Sequence, residues 1–157
     1  VSRHTADITP PDGIDLVTDA GAQFEGPLSG IAAALASFDG TSATHMLSVA
    51  VDSPFFPSDL GARLSAALDD GSGIAYATSS GRSHPVFALW PISLADALGR
   101  HLAAGGSRRM LDVIESHPNV AVAFAALETP LGPVDPFFNV NTPDDLARAR
   151  QLAPYIP

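Results

Sequence analysis

The sequence predicts an α/β fold: a mostly parallel sheet covered by helices on both faces, a three-layer α/β/α arrangement. Three observations carry this. Short apolar runs bounded by Gly, Pro, Asp and Ser alternate with segments whose apolar residues recur at helical spacing. One such run, Val49-Ala50-Val51, ends in a lone acid, Asp52, followed by Pro54 and Pro57. Further along, Thr142-Pro143-Asp144-Asp145 carries a complete helix-start signature.

The elements follow in order. Ile14 to Asp19 is a short apolar run ending in an acid and reads as a strand. Phe24 to Gly30 reads as a Gly- and Pro-rich turn, and the Ala-rich Ile31 to Phe38 as a helix. His45 to Val51 reads as a strand buried on both faces. Ser58 is placed to cap a helix carrying Leu60, Leu64 and Leu68, which the Asp69–Gly73 cluster ends. Ile74–Thr78 and Pro85–Trp90 read as strands joined at Ser79-Ser80-Gly81-Arg82. Ser93 is placed to cap a helix with Leu94, Leu98 and Leu102, broken at Gly105-Gly106. Arg108–Ser116 reads as a helix, Val120–Phe124 as a strand, Leu131–Pro136 as a loop and Phe137–Val140 as a last short strand. Thr142 then caps the final helix, with Pro143 at its first position.

Composition bounds the function classes. The chain has 157 residues, 46% hydrophobic and 16% charged, which suits one globular domain. The net charge is −9, and all eight cationic side chains are Arg. A nucleic-acid partner calls for a basic face, so none is expected. No apolar run is long enough to span a bilayer, so no membrane is expected either. The amino end has no apolar h-region, and the expected location is cytoplasmic. There is no cysteine, which excludes disulfide and thiolate chemistry. His4, His45, His101 and His117 lack ligand-like spacing and are assigned no metal.

Asp52 is the leading functional candidate. An acid at the carboxyl end of a strand sits where open α/β sheets place ligand chemistry. The competing reading is a solvated turn Asp, held at even odds for an arbitrary Asp. Asp19, before Gly21, occupies a similar place, with the two readings level. Gly26, Pro27, Leu28, Ser29 and Gly30 form a loop leading into a helix, where glycine permits close approach to a ligand. An ordinary turn is the plain alternative. His84 precedes Pro85, which disfavours helix there and leaves the ring at the start of a strand. A satisfied structural His is nearly as good a reading. Arg108 and Arg109 follow Gly105-Gly106-Ser107 and otherwise read as surface charges. Asn139 and Asn141 alternate along a strand and so share a side; their plain role is to fix the turn before Thr142. No Ser-His-Asp arrangement is evident.

Four segments together resemble a family. Asp52-Ser53-Pro54-Phe55-Phe56-Pro57 is similar to the Asp-Thr-Pro-Phe/Tyr-x-Pro segment of molybdenum cofactor guanylyltransferases. Gly26-Pro27-Leu28-Ser29-Gly30, Ser83-His84-Pro85 and Phe138-Asn139-Val140-Asn141-Thr142-Pro143 match in the family's order. The resemblance runs from about Arg3 to Arg150. It implies a Rossmann-like nucleotidyltransferase sheet and transfer of GMP from MgGTP to molybdenum-bound molybdopterin, with release of pyrophosphate. It implies that Asp52 binds Mg²⁺, and that Asp19 and the Gly26–Gly30 segment, through Gly26, Pro27, Leu28 and Gly30, face the nucleotide. It places His84, Arg108, Arg109, Asn139 and Asn141 toward the molybdopterin substrate. Molybdoenzymes or their chaperones are the implied protein partners.

The amino end departs from the family. A strand, a Gly-rich Gly-Gly-x-Ser-x-Arg-Met-Gly loop, a Lys and a helix are expected there, and Val1-Ser2-Arg3-His4 matches the end of the family's second strand. Such a unit is roughly 30 or more residues long and supplies donors to a triphosphate. The expectation is one nucleotidyltransferase-like domain, 1–157, incomplete at its amino end and inactive by itself. A related enzyme using CTP or another phosphorylated acceptor, and a noncatalytic binding module, are the alternatives.

Overall fold

The structure is a computed structural model that describes residues 12, 14–17, 26–38, 40–69 and 71–156. Its elements are α1 (Pro27–Ala36), β1 (His45–Ser48), α2 (Leu60–Ala66), β2 (Ile74–Ser79), β3 (Arg82–Pro91), α3 (Ala95–Ala103), α4 (Met110–Glu115), β4 (Asn119–Phe124) and α5 (Pro143–Leu152). The strands form one sheet in the order β1-β3-β2-β4. β2 runs parallel to β4 and antiparallel to β3, so the α/β class holds while the expected mostly parallel sheet is mixed. The antiparallel pair follows from local chemistry. Ser80 and Gly81 both take positive φ, at 48° and 74°, the two-residue turn that matches strand twist.

The chain divides into two compact units. In the unit that contains α1, α3 and α4, α1 buries Leu28, Ile31 and Leu35 at helical spacing and packs against α3. α3 buries Leu98 and Leu102, and α4 buries Met110, Val113 and Ile114. In the other unit, α2 lays Leu60 and Leu64 on Ala75, Ala77, Phe87, Leu89, Phe124 and Phe137. Each fully buried Leu there contributes roughly 1.5–3 kcal/mol of transfer free energy. A second cluster joins Phe55 and Val134 to Ala149 and Leu152 of α5.

The ladder between β2 and β3 breaks between Tyr76 and Ala77. Tyr76 pairs with Ala88, but Ala77 pairs with His84. Pro85 lies in the break. It has no N–H to give a ladder, and bulges of this kind re-aim the neighbouring side chain.

Several sequence expectations need correction. β1 stops at Ser48, and Val51 is fully exposed, so Val49–Val51 is not a strand buried on both faces. Pro27–Gly30 is the first turn of α1 and not a loop. Pro27 occupies the first helical turn, where a missing N–H costs nothing. Ile14–Val17 has no regular structure, with Ile14 and Leu16 exposed. Ser58 caps nothing, because the α2 N-cap is Asp59 and makes no side-chain cap bond. Ser93 lies inside a short 3-10 turn, Ile92–Leu94, that leads into α3. α4 begins at Met110, with Arg109 extended before it. Phe137–Val140 is not a strand; Phe138 N–H instead closes a turn on Asp135 O at 3.0 Å.

The final helix is as the sequence predicts. Thr142 and Asp145 form a reciprocal capping box, with Pro143 in the first turn. The Asp145 carboxylate is pulled below its ordinary range, first by the Thr142 hydroxyl and then by the Asn141 N–H. No helix among the described residues is long and apolar enough to cross a membrane.

Candidate active site

The site residues of the larger sheet unit gather around the segment Asp135–Asn141. Asp52 lies four residues past the end of β1, in a turn closed from across the chain. Its carbonyl accepts from Val140 N–H at 2.8 Å. Beside it, Ser53 is 2% exposed and donates to Asn139 Oδ1 at 2.6 Å. Two bonds therefore tie the Asp52 turn to the Asn139-Val140 segment. The Asp52 side chain is half-buried, and its carboxylate makes no hydrogen bond or ion pair to another described residue. A hard oxygen donor held in place by its backbone, with its own oxygens uncommitted, fits a divalent cation that keeps most of its waters. Among the described residues no cluster of three or more His, Asp or Glu offers a fully protein-made cage.

An apolar pocket of about 530 Å³ adjoins Asp52, lined by Val51, Pro54, Phe55, Val140, Leu146 and Arg150 among others.

His84 is organised by residues that the sequence does not single out. Its Nε2 lies 2.7 Å from Ser79 Oγ, and Ser79 Oγ donates to Asp135 Oδ1 at 2.8 Å. The imidazole lies 4.7 Å from the Phe137 ring, which itself packs 4.6 Å from Phe87. Asp135 Oδ1 also accepts from Phe137 N–H at 2.9 Å. Burial pushes His84 below its ordinary 6.5; the Asp135 carboxylate opposes this, and Arg82 adds to it. A Ser-His-Asp cluster is thus present after all. It is not wired as a nucleophilic triad, in which the carboxylate orients Nδ1 and Nε2 faces the serine as base. Here the hydroxyl stands between ring and carboxylate, and no base is left to activate it.

Asn141 is exposed, and its backbone N–H donates to Asp145 Oδ2 at 3.1 Å. With no strand at 137–140, Asn139 and Asn141 are not set on one side by strand alternation. Asn139 is committed to Ser53 through its Oδ1, while its amide N–H groups stay exposed to solvent.

The remaining candidates lie in the other unit. Gly26 takes φ 114° and serves as the α1 N-cap, and its carbonyl accepts from Ser29 Oγ at 2.8 Å. Leu28 and Gly30 are buried within the helix start. Arg108 and Arg109 are exposed, and Arg109 reaches Asp112 at 3.7 Å. Their loop is fixed from behind. His101 Nε2 contacts Ser107 O at 2.9 Å, and a Cβ on Gly106 would have to displace the His101 ring. Asp19 lies outside the described residues.

Ser53, Ser79 and Asp135 are the residues sequence reasoning missed. Ser53 had a signal, since it adjoins Asp52 and is a small hydroxyl in an apolar turn. Ser79 and Asp135 had none; Asp135 lies 56 residues from the Ser79 hydroxyl that links it to His84.

Known proteins resemble this chain in sequence and in fold. The molybdenum cofactor guanylyltransferase of Rhizobium meliloti (strain 1021) is 44% identical over 146 residues, covering 92% of this chain and 67% of that protein. The enzyme of the same name from Rhizobium johnstonii (strain DSM 114642 / LMG 32736 / 3841) is 46% identical over 141 residues, covering 89% and 68%. The crystal structure of molybdopterin-guanine dinucleotide biosynthesis protein A from Archaeoglobus fulgidus matches with a TM-score of 0.60 at 26% identity, covering 82% of this chain and 63% of that one. The chain thus spans about two thirds of the length of these relatives. Residues 1–122 match the MobA-like NTP transferase domain, and the chain belongs to that family.

Proposed function

We propose that the protein transfers GMP from MgGTP to molybdenum-bound molybdopterin and releases pyrophosphate. The observation that carries this is the Asp52 carboxylate. It is uncommitted among the described residues and its turn is clamped by Ser53–Asn139 and Val140–Asp52. The names of the relatives supply the substrate pair, and the geometry supports the chemistry.

The reaction is in-line attack of an acceptor phosphate oxygen on the α-phosphorus of GTP. The bond to the pyrophosphate oxygen breaks as the new P–O bond forms. Such transfer depends on positioning and charge neutralisation more than on a side-chain nucleophile. Mg²⁺, when bound, offsets phosphate charge that a chain of net charge −9 cannot offset by itself. Asp52 is the residue that would hold it. Asp19 and the start of α1, at Gly26 and Pro27, face the nucleotide in this reading, with Leu28 and Gly30 buried behind them. His84, Arg108, Arg109, Asn139 and Asn141 face the acceptor, in which amide and imidazole groups can meet both pterin edges and phosphate. The working location is cytoplasmic.

The test, made on the complete protein, is pyrophosphate release from GTP, with CTP in parallel, in the presence of Mg²⁺ and molybdenum-loaded molybdopterin. Acceptor-dependent release from GTP supports the reading. Release from CTP alone replaces it with a cytidylyltransferase. No release, with nucleotide bound and unchanged, replaces it with a binding module.

A further inference from the structure

The arrangement of Ser79, His84 and Asp135 decides which imidazole nitrogen is available. An ionised carboxylate only accepts hydrogen bonds. Ser79 has one hydroxyl hydrogen, and Asp135 Oδ1 lies 2.8 Å from Ser79 Oγ, so that hydrogen goes to Asp135. The His84 contact at 2.7 Å then closes only if Nε2 carries the proton and donates to Ser79 Oγ. Donors run one way: His84 Nε2–H to Ser79 Oγ–H to Asp135. Neutral His84 is therefore the Nε2–H tautomer, with its lone pair on Nδ1. That atom makes no hydrogen bond to a described residue, and it is not among the buried polar atoms left unsatisfied, so solvent reaches it.

The supports of this chain are themselves fixed. Ser79 is 2% exposed at the end of β2. The break in the β2–β3 ladder sets His84 opposite Ala77 and within reach of Ser79. Phe137 packs along one side of the ring, and its backbone N–H holds Asp135 Oδ1. A second oxygen of Asp135 lies 3.9 Å from His84 Nε2, too long to replace the serine as its partner.

We propose that Ser79 and Asp135 are positioning residues that lock His84 as the Nε2–H tautomer and so offer Nδ1 to the acceptor substrate. This rests on the reading that His84 faces that substrate. Nδ1 accepts a hydrogen bond from the protonated form of the acceptor's terminal phosphate, or from a pterin N–H. The charged groups facing the ring are Asp135 and Arg82.

The decisive substitution is Asp135→Ala. Asn would not serve, because the oxygen that accepts from Ser79 also accepts from Phe137 N–H, and an amide would keep its oxygen there. Alanine removes the acceptor, and the Ser79 hydroxyl hydrogen is then free to turn toward Nε2. Nitrogen-15 NMR of the imidazole reads this directly, without any turnover. The parent should show Nε2–H, and Asp135→Ala and Ser79→Ala should each show a mixture of the two tautomers. In steady-state assays of the complete protein with GTP and molybdenum-loaded molybdopterin, Asp135→Ala and Ser79→Ala should lower kcat/KM for the acceptor at least tenfold. The KM for GTP should be unchanged, and Ser79→Thr, which keeps the hydroxyl, should recover most of the loss. A parent imidazole carrying Nδ1–H overturns the proposal. So do equal losses toward both substrates that track a lowered melting temperature. So does a mixed tautomer with unaltered acceptor kinetics. A parent that shows Nε2–H but transfers no GMP sinks the assigned activity, and with it the role given to Nδ1, while leaving the donor chain standing.

Discussion

Ser53 and Asn139 are hydrogen-bonded at 2.6 Å across 86 residues of chain. One of them adjoins the acid that best fits a cation, and the other begins the Asn-Val-Asn segment. The bond is buried on the Ser53 side, where solvent does not compete for the hydroxyl. Its neighbour, Val140 N–H to Asp52 O, runs between the same two segments. Together they make the position of the Asp52 carboxylate depend on a distant part of the chain.

Ser53→Ala should therefore move two quantities at once. Loss of one neutral hydrogen bond costs about 0.5–1.5 kcal/mol net. Chemical denaturation should report a loss of that size. Metal-dependent turnover should fall several-fold as well, because the Asp52 turn loses one of its two ties. Full activity with lowered stability would show that the Val140 bond alone holds the turn.

Asp52→Ala should separate the other way. The carboxylate is half-buried and engages no described partner, so its removal should change stability by no more than about ±0.5 kcal/mol. In a complete chain, Mg²⁺-dependent guanylyl transfer should disappear. Turnover within a few fold of the parent would remove Asp52 from the metal site, and an unfolded variant would make it structural.

His84 gives a pH dependence whose sign follows from its lowered pKa. Burial is the main cause, so the folded protein takes up this proton less readily than the unfolded chain. Above 6.5 both states are neutral at this ring and it contributes nothing. As pH falls through 6.5, the unfolded chain binds the proton first, and stability drops until the folded pKa is passed. The melting temperature should decline as pH falls through 6.5, and less steeply in His84→Gln. Parallel slopes would mean that other groups set the dependence.

What the sequence discloses is what is local. The Ser80–Gly81 turn, the Leu60–Leu64 face and the Thr142–Asp145 box each lie within a few residues, and each forms as expected. The length of β1 was not legible. Val49–Val51 is as apolar as a buried strand, yet Val51 is fully exposed. Composition reports a side chain's preference and not whether a neighbour covers it. The Phe137–Val140 strand failed for a related reason. Its N–H groups are taken by the Asp135 turn and by Asp52, and no ladder partner is needed. Asp52 and His84 could be named from sequence because proline follows each within two residues. Their supports, Ser53, Ser79 and Asp135, could not, because only the fold brings them together.

Asn141→Ala and Thr142→Ala form the last pair, and their contrast decides whether the Asn-Val-Asn segment serves the acceptor or merely the turn. Asn141 reaches Asp145 through its backbone N–H, at 3.1 Å, and alanine keeps that group. The capping box should survive the substitution, and the melting temperature should hold. Only the exposed side-chain amide is lost. If it meets a charged group of molybdopterin, kcat/KM for that substrate should fall by roughly 1.5–3 kcal/mol, about 10- to 150-fold, while the KM for GTP stays put. Thr142→Ala should do the reverse. It removes the hydroxyl that accepts from Asp145 N–H at 3.1 Å and donates to its carboxylate at 2.8 Å. Stability should fall by about 1 kcal/mol, and acceptor kinetics should follow only as far as the fold loosens. Equal losses toward both substrates in Asn141→Ala would argue against a separate acceptor side. Unchanged kinetics with a lowered melting temperature would place Asn141 in the turn alone.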